Sequence, residues 1–348
     1  MSRKDYRRKL DLKSGRIELA HGAGGRAMVQ LITDLFHEPL DNEWLRQGND
    51  QAAFDVTGGR MVMTTDAYVI SPLFFPGGDI GSLAIHGTIN DIAMAGARPL
   101  YLSASFILEE GFPLIELKRI ADSMGAAART AGVAVIAGDT KVVERGKADG
   151  VFISTTGIGV VPTGVDLSVE KVLPGDRIIV SGFLGDHGVA VMSKRHDLSF
   201  ETAILSDSAP LHDLVATMVE ASGRELRAMR DPTRGGLAAT LNEWAHQAGV
   251  GLRIREEAIP IRPGVAAACE LLGLDPLYVA NEGKLTAVVA PAAAERLLTA
   301  MRAHPLGRDA AIIGEVVADE HRFVQMTTEF GGDRIVDWLA GEQLPRIC

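Results

Sequence analysis

Between residues 60 and 161 the sequence switches four times between two hydrophobic periods, and this alternation restricts the chain to a layered fold of strands and helices. RMVMTTDAYVIS (60–71) is β-branched and apolar and predicts a strand running into a loop. IGSLAIHGTINDIAMAG (80–96) places apolar residues at helical spacing and stops on Gly96. LYLSASFIL (100–108) alternates as a strand does, and 113–131 reads as an amphipathic helix entered at Pro113. VAVIAG (133–138) and VFISTTGIGVV (151–161) are further strands. The first half is therefore expected to form a mixed sheet with helices on one face.

Pro162 to Pro174 reads as a linker, and LPGDRIIVSG (173–182) opens a second α/β segment. Helices are expected at 185–194, over a long stretch at 208–229, at 235–248 and at 291–303. Strands are expected near 251–255 and 285–290, with a final one within TEFGGDRIVDW (328–338). The expected organisation is a flexible basic arm (1–16), an N-terminal domain (17–162), a C-terminal α/β domain (172–338) and a mobile tail (339–348).

The length of 348 residues allows two domains with real cores, and 47% hydrophobic residues with 38 glycines suit a compact α/β enzyme. A net charge of −10 argues against a general nucleic-acid surface. Two cysteines cannot make a disulfide framework, which points to a cytoplasmic protein. No apolar run approaches the roughly 20 residues that span a bilayer, so no membrane role is expected.

Four aspartates lie at expected element ends beside small residues: Asp50, Asp66, Asp91 and Asp231. Each alone reads equally as a helix cap, and Asp231 stands where it would cap the helix that follows. As a group of hard oxygen ligands from separate loops they suit Mg2+, which keeps water and substrate phosphates in its shell. HGAGG (21–25), with Gly24 and Gly25, and DPTRGGLAATL (231–241), with Gly235 and Gly236, can present backbone N–H groups to phosphate. Neither a P-loop nor a dinucleotide fingerprint is present. GDTKVVERG (138–146) follows an apolar strand and offers Asp139, Thr140 and Lys141; ANEGKL (280–285) offers Glu282. His86 lies five residues before Asp91 on one expected helix, where a packed polar role competes with a catalytic one. With two cysteines and no paired histidines, a zinc site is not expected.

The long segment from TTDAYVIS to EEGFP, with GDTKVVERG, DPTRGGLAATLNEWA, NEGKL and the final PRIC, resembles the HypE family of hydrogenase-maturation carbamoyl dehydratases. That family sits in the superfamily of aminoimidazole ribonucleotide synthetase, selenophosphate synthetase and thiamine-monophosphate kinase. The resemblance runs from about residue 15 to the end and implies a two-domain α/β (α+β) synthetase-like fold and a homodimer paired through the N-terminal domains. It implies ATP and Mg2+ as cofactors, with Asp50, Asp66, Asp91 and Asp231 at metal or phosphate positions and Asp139 in the nucleotide site. It maps Lys141 and Glu282 to the dehydration site and Cys348 to a carrier thiol, and His86 stands beside them as a further catalytic candidate. The implied partners are a HypF-like carbamoyl transferase that loads Cys348 and an iron-carrying HypC/HypD-like scaffold that accepts cyanide.

On this reading a carbamoyl group on the Cys348 sulfur is phosphorylated on oxygen by ATP and then loses phosphate and a proton to give a thiocyanate. Residues 341–348, fully extended, reach roughly 26–29 Å, enough to move a terminal thiol between a cleft and a partner. Pro345 keeps that arm out of helix. Cys269, in an apolar run, is expected to be inert core. Two other readings are open at this stage: a small-molecule phosphotransferase of the same superfamily, and a non-catalytic carrier that presents Cys348.

Overall fold

The computed structural model describes residues 10–22, 26–47, 54, 59–197, 204–338, 344 and 346–348. Arg26–Leu31 (α1) and His37–Leu40 (α2), joined by a π turn, precede the first sheet. Its strands and helices follow in the order β1 (Arg60–Tyr68), β2 (Phe74–Phe75), β3 (Gly78–Asp79), α3 (Ile80–Met94), β4 (Arg98–Glu109), α4 (Leu114–Ala131), β5 (Ala134–Val143) and β6 (Val151–Val161). β2 and β3 form a separate small hairpin, and the main sheet has the order β1-β6-β4-β5. Only β4 and β5 run parallel, which the α4 crossover between them requires.

Local chemistry explains the ends. Asp79 caps α3 by accepting from Gly81 N at 2.8 Å and Ser82 N at 3.0 Å, and Ser82 Oγ returns to the Asp79 backbone. α3 stops before Gly96 (φ +69°), and α4 closes on Gly132 in the left-handed region (φ +65°). α3 lies close against β6: a Cβ on Gly159 would sit 2.4 Å from Ile92. Both helices cover one face of the sheet. The other face is open, with Met61 47%, Met63 73% and Ile107 43% exposed.

The second half contains β7 (Arg177–Val180), α5 (Asp186–Arg195), α6 (His212–Ser222), β8 (Leu226–Arg230), α7 (Gly236–Ala248), β9 (Gly251–Arg255), α8 (Pro263–Leu272), β10 (Thr286–Val289), α9 (Ala294–Ala303), β11 (Ala311–Val317), β12 (Val324–Thr327) and β13 (Asp333–Ile335). The sheet order is β13-β12-β9-β11-β7-β10-β8. The one-face arrangement expected of the sheets describes the first; here α7 packs on one face and α6 with α9 on the other. β7 and β10 are buried on both sides as a result, which fits their unbroken apolar runs. The helix expected over 208–229 ends at Ser222: Gly223 adopts φ +54° and ψ −127°, and Leu226–Arg230 becomes edge strand β8. Ala93 of α3 packs into the α6–α9 cluster and joins the two halves. No helix among the described residues is long and apolar enough to cross a membrane.

Candidate functional site

Asp66 and Asp91 come together because α3 packs on β1. Thr64 and Asp66 are two residues apart and share the helix-covered face of the strand. Thr64 Oγ1 donates to Asp91 Oδ2 at 2.8 Å. Asp66 Oδ1 accepts from Ala67 N at 2.8 Å and faces the Arg234 guanidinium at 3.9 Å. Asp231 follows β8 and is buried. It does not cap α7: that helix begins at Gly236 behind Gly235, with no side-chain cap. Gly235 and Gly236 have φ of +76° and +60°, and a Cβ on Gly236 would meet Leu277 O at 2.5 Å, so the turn itself demands glycine there.

Glu282 enters from the NEGK loop and is 3% exposed. Its backbone is held on both sides: its N–H donates to Asp207 Oδ1 at 3.0 Å, and its carbonyl accepts from Asn90 Nδ2 at 3.1 Å. Asn281 ties three loops together, accepting from Gly185 N at 2.7 Å and donating to Pro232 O at 2.9 Å. A Cβ on Gly283 would overlap Asp207 O, so the NEG turn packs on the 206–208 loop at van der Waals limits. With its backbone fixed this way, Glu282 turns its carboxyl into the cleft, where Oε1 has no hydrogen-bond partner among the described residues. Asn90, Asp207, Arg234 and Asn281 were not singled out in the sequence. Asn90 and Arg234 lie within the IGSLAIHGTINDIAMAG and DPTRGGLAATL segments, and the SDSAP run and the Asn281–Glu282–Gly283 turn mark Asp207 and Asn281.

The described part of the chain end is docked in this cleft, so the tail expected to be mobile does not finish in solvent. Val69 N donates to Cys348 O at 3.1 Å, Ser71 N to Arg346 O at 3.2 Å, and Ile347 is 2% exposed. Arg346 pairs with Asp149. Cys348 is half-buried, and of all charged groups Glu282 acts on its thiol most strongly.

Five acidic side chains with one chain end give the site a marked electrostatic character. Burial, followed by the charges of Asp231, Asp207, Asp66 and Asp91, pushes the Glu282 carboxyl well above the usual range. Burial and then Asp91 push Asp231 up to about 7. Burial raises Asp91 as well, with Asp66 adding to it. Burial and then Glu282 raise the Cys348 thiol, so in this position it is protonated and a poor nucleophile. No group of three or more acid, histidine or cysteine side chains among the described residues is arranged to hold a metal ion by itself. The crowded carboxylates instead suit a hard divalent cation bound by one or two protein oxygens, with phosphate supplying further ligands.

The remaining candidates lie apart. Lys141 and Asp139 sit on β5, the far edge of the first sheet from β1, with Lys141 exposed on the open face. Three strand spacings, about 14 Å, and the thickness of the sheet separate Lys141 from Asp66 within one chain. Thr140 faces inward at 5% exposure and, with Asp139, Phe36, Leu40 and Phe106, lines a cavity of about 150 Å³. His86 bonds Ser208 Oγ through Nδ1 at 3.0 Å, and burial pushes it down to about 4. It is a neutral packed ring as oriented. Asp50, Gly24 and Gly25 lie outside the described residues. Cys269 is buried in the α5–α8 cluster, as expected for core.

Residues 48–161 match the AIR synthase related protein N-terminal domain family, and residues 174–327 match the corresponding C-terminal domain family. The chain is 73% identical over 345 residues to the carbamoyl dehydratase HypE of Bradyrhizobium diazoefficiens, covering 99% of this chain and 100% of that protein. It superposes on the crystal structure of the hydrogenase maturation protein HypE in complex with ATP with a TM-score of 0.91 at 48% identity, covering 95% of this chain and 99% of the other. A crystal structure of a HypE–HypF complex contains a chain matching with a TM-score of 0.78 at 48% identity, over 89% of this chain and 99% of that one.

Proposed function

The chain belongs to the HypE family of carbamoyl dehydratases, built on the AIR synthase related fold, and we propose that it performs an ATP-dependent dehydration on a carbamoyl group carried by its own Cys348. The product is a thiocyanate, which supplies a cyanide ligand for the iron of NiFe-hydrogenase. The observation that carries this reading is that the chain end is docked where Glu282 is the charged group acting most strongly on the Cys348 thiol, while Glu282 Oε1 is buried with no hydrogen-bond partner among the described residues.

The chemistry follows from the balance of atoms. Oxygen leaves an amide only after activation, so the carbamoyl oxygen attacks the γ-phosphorus of ATP and ADP departs. Loss of one nitrogen proton gives a phosphorylated imidate. Removal of the second nitrogen proton, with departure of phosphate, gives S–C≡N. Glu282 Oε1 is the base assigned to the nitrogen protons. A carboxyl raised by burial is a strong base once ionised, and a base matched to its task contributes about 10²–10⁴ in rate. Asp66, Asp91 and Asp231 are the carboxylates from which one or two oxygens would bind Mg2+, with phosphate completing its shell; the ion would offset their charge and that of the transferring phosphoryl group. Arg234, beside Asp66, and the glycine turn at 235–236 bind phosphate. The cavity bounded by Asp139, Thr140 and Phe106 accepts the flat adenine ring.

Lys141 reaches this site only from a second copy. The open sheet face with Met61, Met63 and Ile107 pairs about a two-fold axis, and Lys141 on that face then serves the partner's cleft. The partners of this reading are a HypF-like transferase that loads the thiol, which the HypE–HypF complex of a relative supports, and a HypC/HypD-like iron scaffold that accepts cyanide, in the cytoplasm. Intact-mass analysis after incubation with a carbamoyl donor system and then ATP tests the reading. A carbamoyl adduct on Cys348 that persists unchanged with ATP and Mg2+ would leave only the carrier role.

A further inference from the structure

Apart from the Arg346–Asp149 pair and the buried Ile347 side chain, the docked chain end is held through its main chain. Arg346 O accepts from Ser71 N at 3.2 Å and from Arg195 Nη2 at 2.8 Å, and Arg195 also bonds Ser71 O at 2.6 and 2.9 Å. Cys348 O accepts from Val69 N. Between them, Ile347 O accepts from His187 Nε2 at 2.9 Å. His187 is fully buried at the start of α5, and the Phe75 ring stands edge-on to it at 5.4 Å.

A carbonyl oxygen only accepts, so Nε2 carries the proton. Nδ1, 2.8 Å from Ser206 Oγ, is then the acceptor of the neutral ring. Ser206 Oγ is itself fixed by Ser208 N at 3.1 Å. With the chain end docked, the imidazole is therefore held in one tautomer and one rotation.

We propose that His187 is the positioning residue that seats the carrier thiol: its Nε2–H, with Nδ1 paired to Ser206, reads the Ile347 carbonyl and so fixes the next residue, Cys348, in the cleft. Burial lowers the basicity of His187, which keeps the ring neutral and the acceptor at Nδ1 available to Ser206. Leaving the cleft costs a buried donor the one acceptor it has among the described residues, so the ring opposes release of the thiol to its loading partner. The proposal rests on the carrier role of Cys348 but is read without any carbamoyl chemistry.

The test is the alkylation rate of Cys348 by iodoacetamide, followed by intact mass in a Cys269→Ala background. Asn places its amide nitrogen where Nδ1 was and loses the donor; Gln places its amide nitrogen near Nε2 and keeps it. His187→Asn should raise the rate roughly tenfold, and His187→Gln should stay within about twofold of the parent. Equal rates in His187→Asn and the parent, or a Gln variant as fast as the Asn variant, overturn the proposal. Histidine ¹⁵N spectra of the unmodified protein decide the matter if the Asn variant does not fold. One exchange-protected Nε2–H should be seen, and it should lose its protection when Ile347 and Cys348 are deleted. A protonated Nδ1, or protection unchanged by the deletion, overturns it. Alkylation that behaves as expected while no carbamoyl adduct forms on Cys348 would remove the carrier reading and leave His187 as an anchor of the chain end.

Discussion

Asp231→Asn should make the protein more stable at neutral pH while abolishing its activity. Asp231 is buried, and its carboxyl is pushed up to about 7 by burial first and then by Asp91 and Asp66. Above the ordinary value of 3.8 the unfolded chain has released this proton, while the folded chain retains it until about pH 7. Fewer protons are then bound in the unfolded state, so stability falls as pH rises through that window, by about 1.4 kcal/mol per unit. The window from 3.8 to about 7 sets a limit of about 4 kcal/mol, which the folded protein forfeits by pH 7. Asn has the shape of the neutral acid and no proton to lose. Its unfolding free energy, measured in urea at fixed temperature without nucleotide or Mg2+, should match the parent near pH 4 and exceed it progressively towards pH 7.5. ATP turnover should vanish over the same range. A variant that shows the parent's pH slope, or is less stable than the parent at pH 7.5, would refute the picture of carboxylates crowded against their own charge.

Other expectations follow from the same geometry. Asp66→Asn and Asp91→Asn should each lose Mg2+-dependent ATP turnover with an unchanged circular dichroism spectrum; turnover at the parent rate would remove these residues from the site. Glu282→Gln should slow the single-turnover loss of water from the carbamoylated protein by about 10²–10⁴ while nucleotide binding, read by calorimetry, persists. Met63→Lys, on the open sheet face, should shift sedimentation towards monomer. Mixing inactive Lys141→Ala with inactive Asp66→Asn should restore roughly a quarter of parental activity, since half the dimers then carry one complete site. No recovery would place Lys141 outside the partner's cleft.

The regular parts of the fold were legible where one period persists over many residues. α3, α4, β6 and β9 fall where their patterns put them, and Gly96 and Gly132 stop their helices through positive φ. β8 was hidden inside a helical reading because LRAMR is short and has no strand alternation. β11 and β12 were missed because short strands are defined by partners far away in sequence. The site divides in the same way. Asp66, Asp91, Asp231, Glu282 and Cys348 were visible as residue types in small-residue contexts, and the structure brings them together. Asn90, which reaches Glu282 across 192 positions, and His187, which reaches Ile347 across 160, carry no local signal at all. Lys141 was grouped with Glu282, but only the strand order reveals that the sheet separates them.

The central claim is that Cys348 carries the group that is dehydrated, and intact mass follows it directly. The protein should gain about 43 Da with the carbamoyl donor system, then lose about 18 Da only when ATP and Mg2+ are present, leaving a cyanated sulfur. Cys269→Ala should show both steps and Cys348→Ala neither. An adduct that still forms on Cys348→Ala, or a loss of 18 Da without ATP, would contradict the account.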